Sequence, residues 1–285
     1  MKKKLIAGLR VGAMAVSLSG CGASKTEEAP AAGNSAAEET AEAEPVTLNV
    51  FAAASMTETL TEIQEMYKDV APNVTLVFNF DSSGTLKTQI QEGADCDLFI
   101  SAAQKQMNQL DKDADPEANT EGLDYVLEGT RVNLLENKIV LAVPDGNLKN
   151  IESFEDLGTD RLSLLALGNE DVPVGQYSTE ILTNLGILDS LEAEGKITYG
   201  SNVKEVTTQV SEAAADAGII YATDAFSAGL TVVDQAEGDL CKQVIYPAAV
   251  LNISRNPEAA KEFLAYLQTD TCMQVFEAVG FTAAE

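Results

Sequence analysis

Histidine is absent from all 285 residues. That absence excludes serine–histidine and cysteine–histidine nucleophile pairs, histidine general bases and histidine-based zinc sites. Any enzyme built on this chain would have to rest on carboxylates, lysine or tyrosine. Basic residues are scarce: 18 Lys and Arg face 45 Asp and Glu, for a formal net charge of −27. A surface this acidic repels polyanions, which argues against a nucleic-acid partner. Cysteine is sparse too. After Cys21 only Cys96, Cys241 and Cys272 remain, and they fit no metal-ligand spacing. They read as small, partly buried apolar residues, with one disulfide left open as an alternative. Beyond the N-terminus no apolar run approaches the length of a membrane-spanning helix.

What is present starts with Met1-Lys2-Lys3-Lys4, followed by a short apolar stretch (Val11 to Leu18) and Leu18-Ser19-Gly20-Cys21. A cationic start, an apolar segment too short to cross a bilayer, and small residues before a cleavage point make a processed export signal. Leu-Ser-Gly-Cys resembles the lipobox of bacterial lipoproteins, which implies cleavage after residue 20 and lipidation of Cys21. Two acyl chains suffice for stable anchoring. The expected location is therefore extracytoplasmic, lipid-anchored to the cell membrane. Removal of the first 20 residues takes away four basic residues and no acidic ones, so the mature charge falls to about −31.

Residues 21–45 hold Cys21 and a tether (Gly22 to Pro45) with no aliphatic residue larger than alanine. Such a segment cannot bury enough apolar surface to offset the entropy of ordering, and as a coil it spans about 25–30 Å. From Val46 onward strand and helix patterns alternate. Val46 to Phe51, Asn73 to Phe80, Leu98 to Ser101, Lys138 to Val143, Leu162 to Leu167, Ile197 to Tyr199 and Ile219 to Tyr221 read as strands. Met56 to Val70, Thr85 to Glu92, Gln176 to Leu185, Val203 to Ala215, Glu258 to Leu267 and Thr271 to Ala278 read as helices. Asn256 is the expected N-cap before Pro257, and Gly280 the C-terminal stop. Asp111 to Leu127 reads as a polar surface excursion. The alternation predicts an α/β fold with parallel sheets covered on both faces.

Three strand-to-helix junctions share one signature. Ser55 and Glu58 form an S-x-x-E pattern after three alanines, Asp81-Ser82-Ser83-Gly84-Thr85 opens a helix with hydroxyls and a glycine, and Asn202 with Glu205 forms an N-x-x-E pattern. Helix N-termini present free N–H groups and partial positive charge, so converging ones hold an anion without any cationic side chain. In open α/β sheets such junctions gather at the carboxyl ends of the strands.

Ala52–Leu60 (AAASMTETL), Phe80–Ala103 (FDSSGTLKTQIQEGADCDLFISAA), Gly168–Tyr177 (GNEDVPVGQY), Asn202–Val206 (NVKEV), Ala217–Ala225 (AGIIYATDA) and Tyr246–Val250 (YPAAV) resemble, in order, the extracytoplasmic molybdate-binding protein of ABC transporters. The resemblance runs from about Val46 to the C-terminus. It implies two α/β lobes with mixed, mostly parallel sheets closing on one oxyanion: lobe I from 46–130 plus 226–285, lobe II from 131–225. It further implies hydroxyl and N–H donors from Ser55 and Ser83, backbone N–H donors from Val174 and Val203, and the phenol of Tyr221. No cofactor, no direct metal-ion ligand and no catalysis are implied. The implied ligand is molybdate or tungstate, the implied partner an ABC permease, and the implied state a monomer. Two departures stand out: Asp81 beside the serine pair, where a carboxylate facing the pocket would repel a dianion, and Cys96, read as packing.

Other readings of the same residues are the same machine with sulfate or phosphate as cargo, a tethered oxyanion sensor, and a hydrolase using Ser55 or Ser83. The last lacks a base, since the nearest lysine in sequence, Lys87, lies on the first turn of the helix opened by Ser83.

Overall fold

Alternation of apolar strands with amphipathic helices produces two sheets, each covered by its own helices. The computed structural model describes residues 44–284, so the expected signal segment, Cys21 and the tether up to residue 43 lie outside the described residues. The chain runs through β1 (Val46–Ala53), α1 (Thr57–Val70), β2 (Val74–Asp81), α2 (Ser83–Gln91), β3 (Leu98–Ile100), α3 (Gln104–Asn108), β4 (Val132–Asn137), β5 (Ile139–Val143), β6 (Leu165–Gly168) and α4 (Pro173–Asn184). It continues through α5 (Leu188–Ala193), β7 (Ile197–Gly200), α6 (Val203–Ser211), β8 (Ala217–Tyr221), α7 (Ala222–Ser227), β9 (Thr231–Gln235), β10 (Val244–Val250), α8 (Pro257–Leu267), α9 (Asp270–Ala278) and β11 (Thr282–Ala283).

The first sheet has the order β11-β4-β10-β3-β1-β2 and the second β7-β6-β8-β5-β9. Both are mixed. β1 pairs in parallel with β2 and β3, and β6 with β7 and β8, whereas β4, β5, β9 and β10 join antiparallel. Parallel pairs therefore do not predominate, because the strands flanking the crossings between sheets run back against their neighbours. The crossings also move the lobe boundaries. β4 belongs to the first sheet and β9 to the second, so the sheets exchange at Lys138 and after Gln235 rather than at 130 and 225.

Lobe I buries Leu48, Val50, Leu60, Ile63 and Phe263 between its sheet and α1 and α8, and lobe II buries Leu165, Ile181, Val206, Val210 and Ile219 between its sheet and α4 and α6. The Asp111–Leu127 excursion is tied down by Arg131, whose guanidinium donates to Asp111 Oδ2 at 2.7 Å, and by Asn119, which donates to the carbonyls of Asp111 and Leu123. Cys96, Cys241 and Cys272 are free thiols, all buried. Pro257 does start α8, but Asn256 does not cap it: its amide donates instead to the Thr47 carbonyl at 3.1 Å, which ties the helix start to β1.

Candidate functional site

The carboxyl ends of β1 and β2 in lobe I face those of β6, β7 and β8 in lobe II. β1 runs into a single 3₁₀ turn, Ala54–Met56, that carries Ser55. At the end of β2, Ser82 caps α2 by accepting from the Thr85 N–H at 3.1 Å, which leaves Ser83 as the first helical residue. In lobe II, Asn202 caps α6 through the Glu205 N–H at 3.1 Å, and Glu205 Oε2 reaches back to the Ser201 N–H at 2.7 Å. The helix α4 opens with Pro173 and packs against β6 so closely that a Cβ on Gly175 would lie 2.3 Å from the Gly168 carbonyl oxygen. Only glycine permits that approach.

Together these ends border one small space lined by Ser55, Asp81, Ser82, Ser83, Ala102, Pro173, Val203 and Tyr221. None of its lining residues is cationic. A larger hollow beside Thr47, Asp97 and Arg255 lies on the far side of β1, and there the acceptor Asp97 is already engaged by the Asn49 N–H and Ser254. The smaller space is singled out by its free donors rather than by its volume.

Those donors can be traced helix by helix. First-turn N–H groups have no partner within their own helix. In α2, Gly84 N–H goes to the Asp171 carbonyl at 3.0 Å and Thr85 N–H to Ser82, leaving that of Ser83 free. In α4, Pro173 has no N–H and the Val172 carbonyl accepts from Gly175 and Gln176, leaving Val174. In α6, Asn202 takes the N–H groups of Glu205 and Val206, leaving Val203 and Lys204. The Ser83 hydroxyl oxygen accepts from the Ala102 N–H at 2.9 Å, so its proton remains available. Tyr221 is fully buried, and its hydroxyl has no hydrogen-bond partner among the described residues. Burial, reinforced by Tyr246, Tyr177 and Asp224, pushes its phenol well above the ordinary value, so it stays a donor.

The family of bacterial extracellular solute-binding proteins matches residues 48–282. The chain belongs to that family. A Bacillus subtilis protein provisionally described as an ABC transporter substrate-binding lipoprotein is 38% identical over 240 residues, covering 84% of this chain and 87% of that protein. The molybdate-binding protein ModA of Haemophilus influenzae is 33% identical over 241 residues, 83% of this chain and 90% of that protein. The solved Azotobacter vinelandii periplasmic molybdate-binding protein superposes with a TM-score of 0.72 at 22% identity, covering 84% of this chain and all of that one, which establishes the shared fold.

In this solute-binding protein Ser55, Ser83, Val203 and Tyr221 line one cavity, while Val174 stands one residue behind the lining Pro173 with its side chain buried. Ser55 does not cap α1. Its hydroxyl pairs with the Tyr246 hydroxyl at 2.9 Å, and neither α1 nor the 3₁₀ turn before it has a side-chain cap. Asp81 is partly engaged, since its Oδ1 accepts from the Ser82 N–H at 2.7 Å. Sequence reasoning gave no role to Tyr246 or Asn137, both in buried contact with this constellation. The Tyr246–Val250 motif was the signal that pointed there.

Proposed function

We propose that this membrane-tethered solute-binding protein captures molybdate, with tungstate as a ligand of the same shape, and hands it to an ABC importer. The observation that carries the reading is the convergence of free N–H and O–H donors on one small space with no cationic side chain. Molybdate at neutral pH is a dianion with four acceptor oxygens and no proton. A cradle of N–H and O–H donors satisfies it, whereas hydrogen phosphate brings an O–H that those donors cannot accept, a buried mismatch of about 1–3 kcal/mol unless the lining Asp81 carboxylate takes it. Sulfate has the same hydrogen-bond character as molybdate and is selected against by cavity size alone. The naming of relatives as molybdate-binding supports the same cargo. Binding, not chemistry, is the output: closure buries the anion and presents a surface that a permease distinguishes from the open form. The lipid on Cys21 would keep the monomer at the membrane.

The test is calorimetric titration of the full chain in detergent with molybdate, tungstate, sulfate and phosphate. The expected result is tight binding of the first two and silence from the others. Phosphate binding would mean that Asp81 faces the ligand and that the cargo is wrong; silence from all four would turn the reading towards a tethered sensor.

A further inference from the structure

Tyr246 lies on β10 outside the cavity lining, yet its hydroxyl is 2.9 Å from Ser55 Oγ. Which of the two donates decides what Ser55 can offer an anion. The neighbours narrow the choice. Asn137 is the last residue of β4, immediately before the crossing, and the Lys138 N–H donates to its Oδ1 at 2.8 Å. A backbone N–H can only donate, so the Asn137 amide is fixed with its nitrogen on the other side. That nitrogen donates to Thr223 Oγ1 at 2.9 Å and to the Tyr246 hydroxyl at 3.2 Å. Tyr246 thus already accepts one proton, and Ser55 Oγ is its other partner. Both Tyr246 and Ser55 are buried from water. Burial holds the Tyr246 phenol well above its ordinary range, so its proton is always present to give.

We infer that Tyr246 is a specificity-setting positioning residue: it donates to Ser55 Oγ, so that Ser55 meets the bound oxyanion with a proton and never with a free lone pair. The relay runs Lys138 N–H, Asn137, Tyr246, Ser55, ligand, each group accepting from the one before it. It does for Ser55 what the Ala102 N–H does for Ser83. The consequence is that Ser55 offers no acceptor to a protonated oxyanion, so it contributes to discrimination against hydrogen phosphate. The inference rests on the oxyanion-binding reading and adds to it a residue that does not touch the ligand.

The experiment is a double-mutant cycle in the full chain, with Tyr246→Phe, Ser55→Ala and their combination titrated with molybdate, each variant first checked for cooperative thermal unfolding. Tyr246→Phe is expected to weaken molybdate binding about tenfold with Ser55 present and less than about twofold in the Ser55→Ala background. Phosphate should compete with molybdate more effectively in Tyr246→Phe than in the wild type, in mildly alkaline buffer where phosphate carries one proton. A loss of equal size in both backgrounds, or no loss, would overturn the relay and leave Tyr246 as packing. Absence of molybdate binding in the wild type, or an unweakened Ser55→Ala variant, would overturn the site reading and the relay with it. Should Tyr246→Phe fail to fold, Asn137→Ala removes the donor upstream and enters the same cycle, with a smaller loss expected and again only when Ser55 is present.

Discussion

At the level of a single side chain, Asp224 is a buried carboxylate whose one cationic neighbour among the described residues is Lys204. Lys204 Nζ lies 3.0 Å from its Oδ1 and 2.7 Å from Glu58 Oε2, so one ammonium serves two acids, one on each lobe. Burial pushes the Asp224 carboxyl up from 3.8 to about 6, with Lys204 pulling the other way. Burial also works against the Lys204 charge, but Asp224 and Glu58 outweigh it and raise its pKa. Between pH 3.8 and about 6 the folded chain holds a proton at Asp224 that the unfolded chain has lost. Stability from this group is therefore present at low pH and falls as pH rises, by about 3 kcal/mol in all. Denaturant unfolding of wild type and Asp224→Asn at pH 4 and pH 7 should show the wild type's relative stability dropping by about that amount; a difference that stays constant with pH would place the carboxyl at its ordinary value. Side-chain roles were legible where they are local. Asn202 and Glu205 sit three apart and do cap α6, whereas the Ser55 pattern is locally identical in kind but its hydroxyl is claimed by Tyr246, 191 residues away.

At the scale of elements, closure is a meeting of helix ends. The N-terminus of α2 reaches the loop before α4, where the Gly84 N–H donates to the Asp171 carbonyl at 3.0 Å. A Cβ at Gly84 would lie 2.3 Å from that oxygen and 2.9 Å from the carbonyl carbon, and backbone on both sides leaves neither free to yield. Gly84→Ala should therefore separate two quantities that usually move together. In the open form the substitution places alanine in a helix, a gain of up to about 1 kcal/mol in stability. In the closed form it forces the lobes apart and weakens molybdate binding by at least tenfold, on the scale of one or two lost contacts to a buried anion. Thermal unfolding without ligand and calorimetric titration with it, on the same variant, check both signs; a variant that binds normally would show that α2 does not approach lobe II in the bound state. Most elements could be read from pattern because their apolar spacing is a local property. β4 and β9 could not: Val132–Asn137 and Thr231–Gln235 carry partly exposed, mixed sequences, and they are strands because of distant partners, 88 to 95 residues away for β9 and β5 and over 100 for β4 and β10.

For the whole molecule the governing fact is that an anion binder carries a net charge of −27. Long-range steering cannot help it capture a dianion, and the field opposes the approach. In the proposed site the hold on the ligand is short-range: helix N-terminal N–H groups and three hydroxyls, with partial charges that fade within a turn of helix. The two ranges respond differently to salt. Raising ionic strength from 0.01 to 0.15 M shortens the screening length from about 30 to about 8 Å, which removes most of the repulsion between exposed carboxylates and an approaching ligand. Contacts in the closed cavity are buried and screened far less. The association rate for molybdate should therefore rise with salt, about three- to tenfold over that range, while dissociation changes little and affinity tightens. This is opposite in sign to electrostatically steered binding. Rapid mixing followed by tyrosine emission, which Tyr221 makes sensitive to the cavity, gives the rates, and titration at both ionic strengths gives the affinity. A rate that falls with salt would mean that the converging helix ends project positive potential beyond the cleft mouth and overcome the acidic surface at a distance.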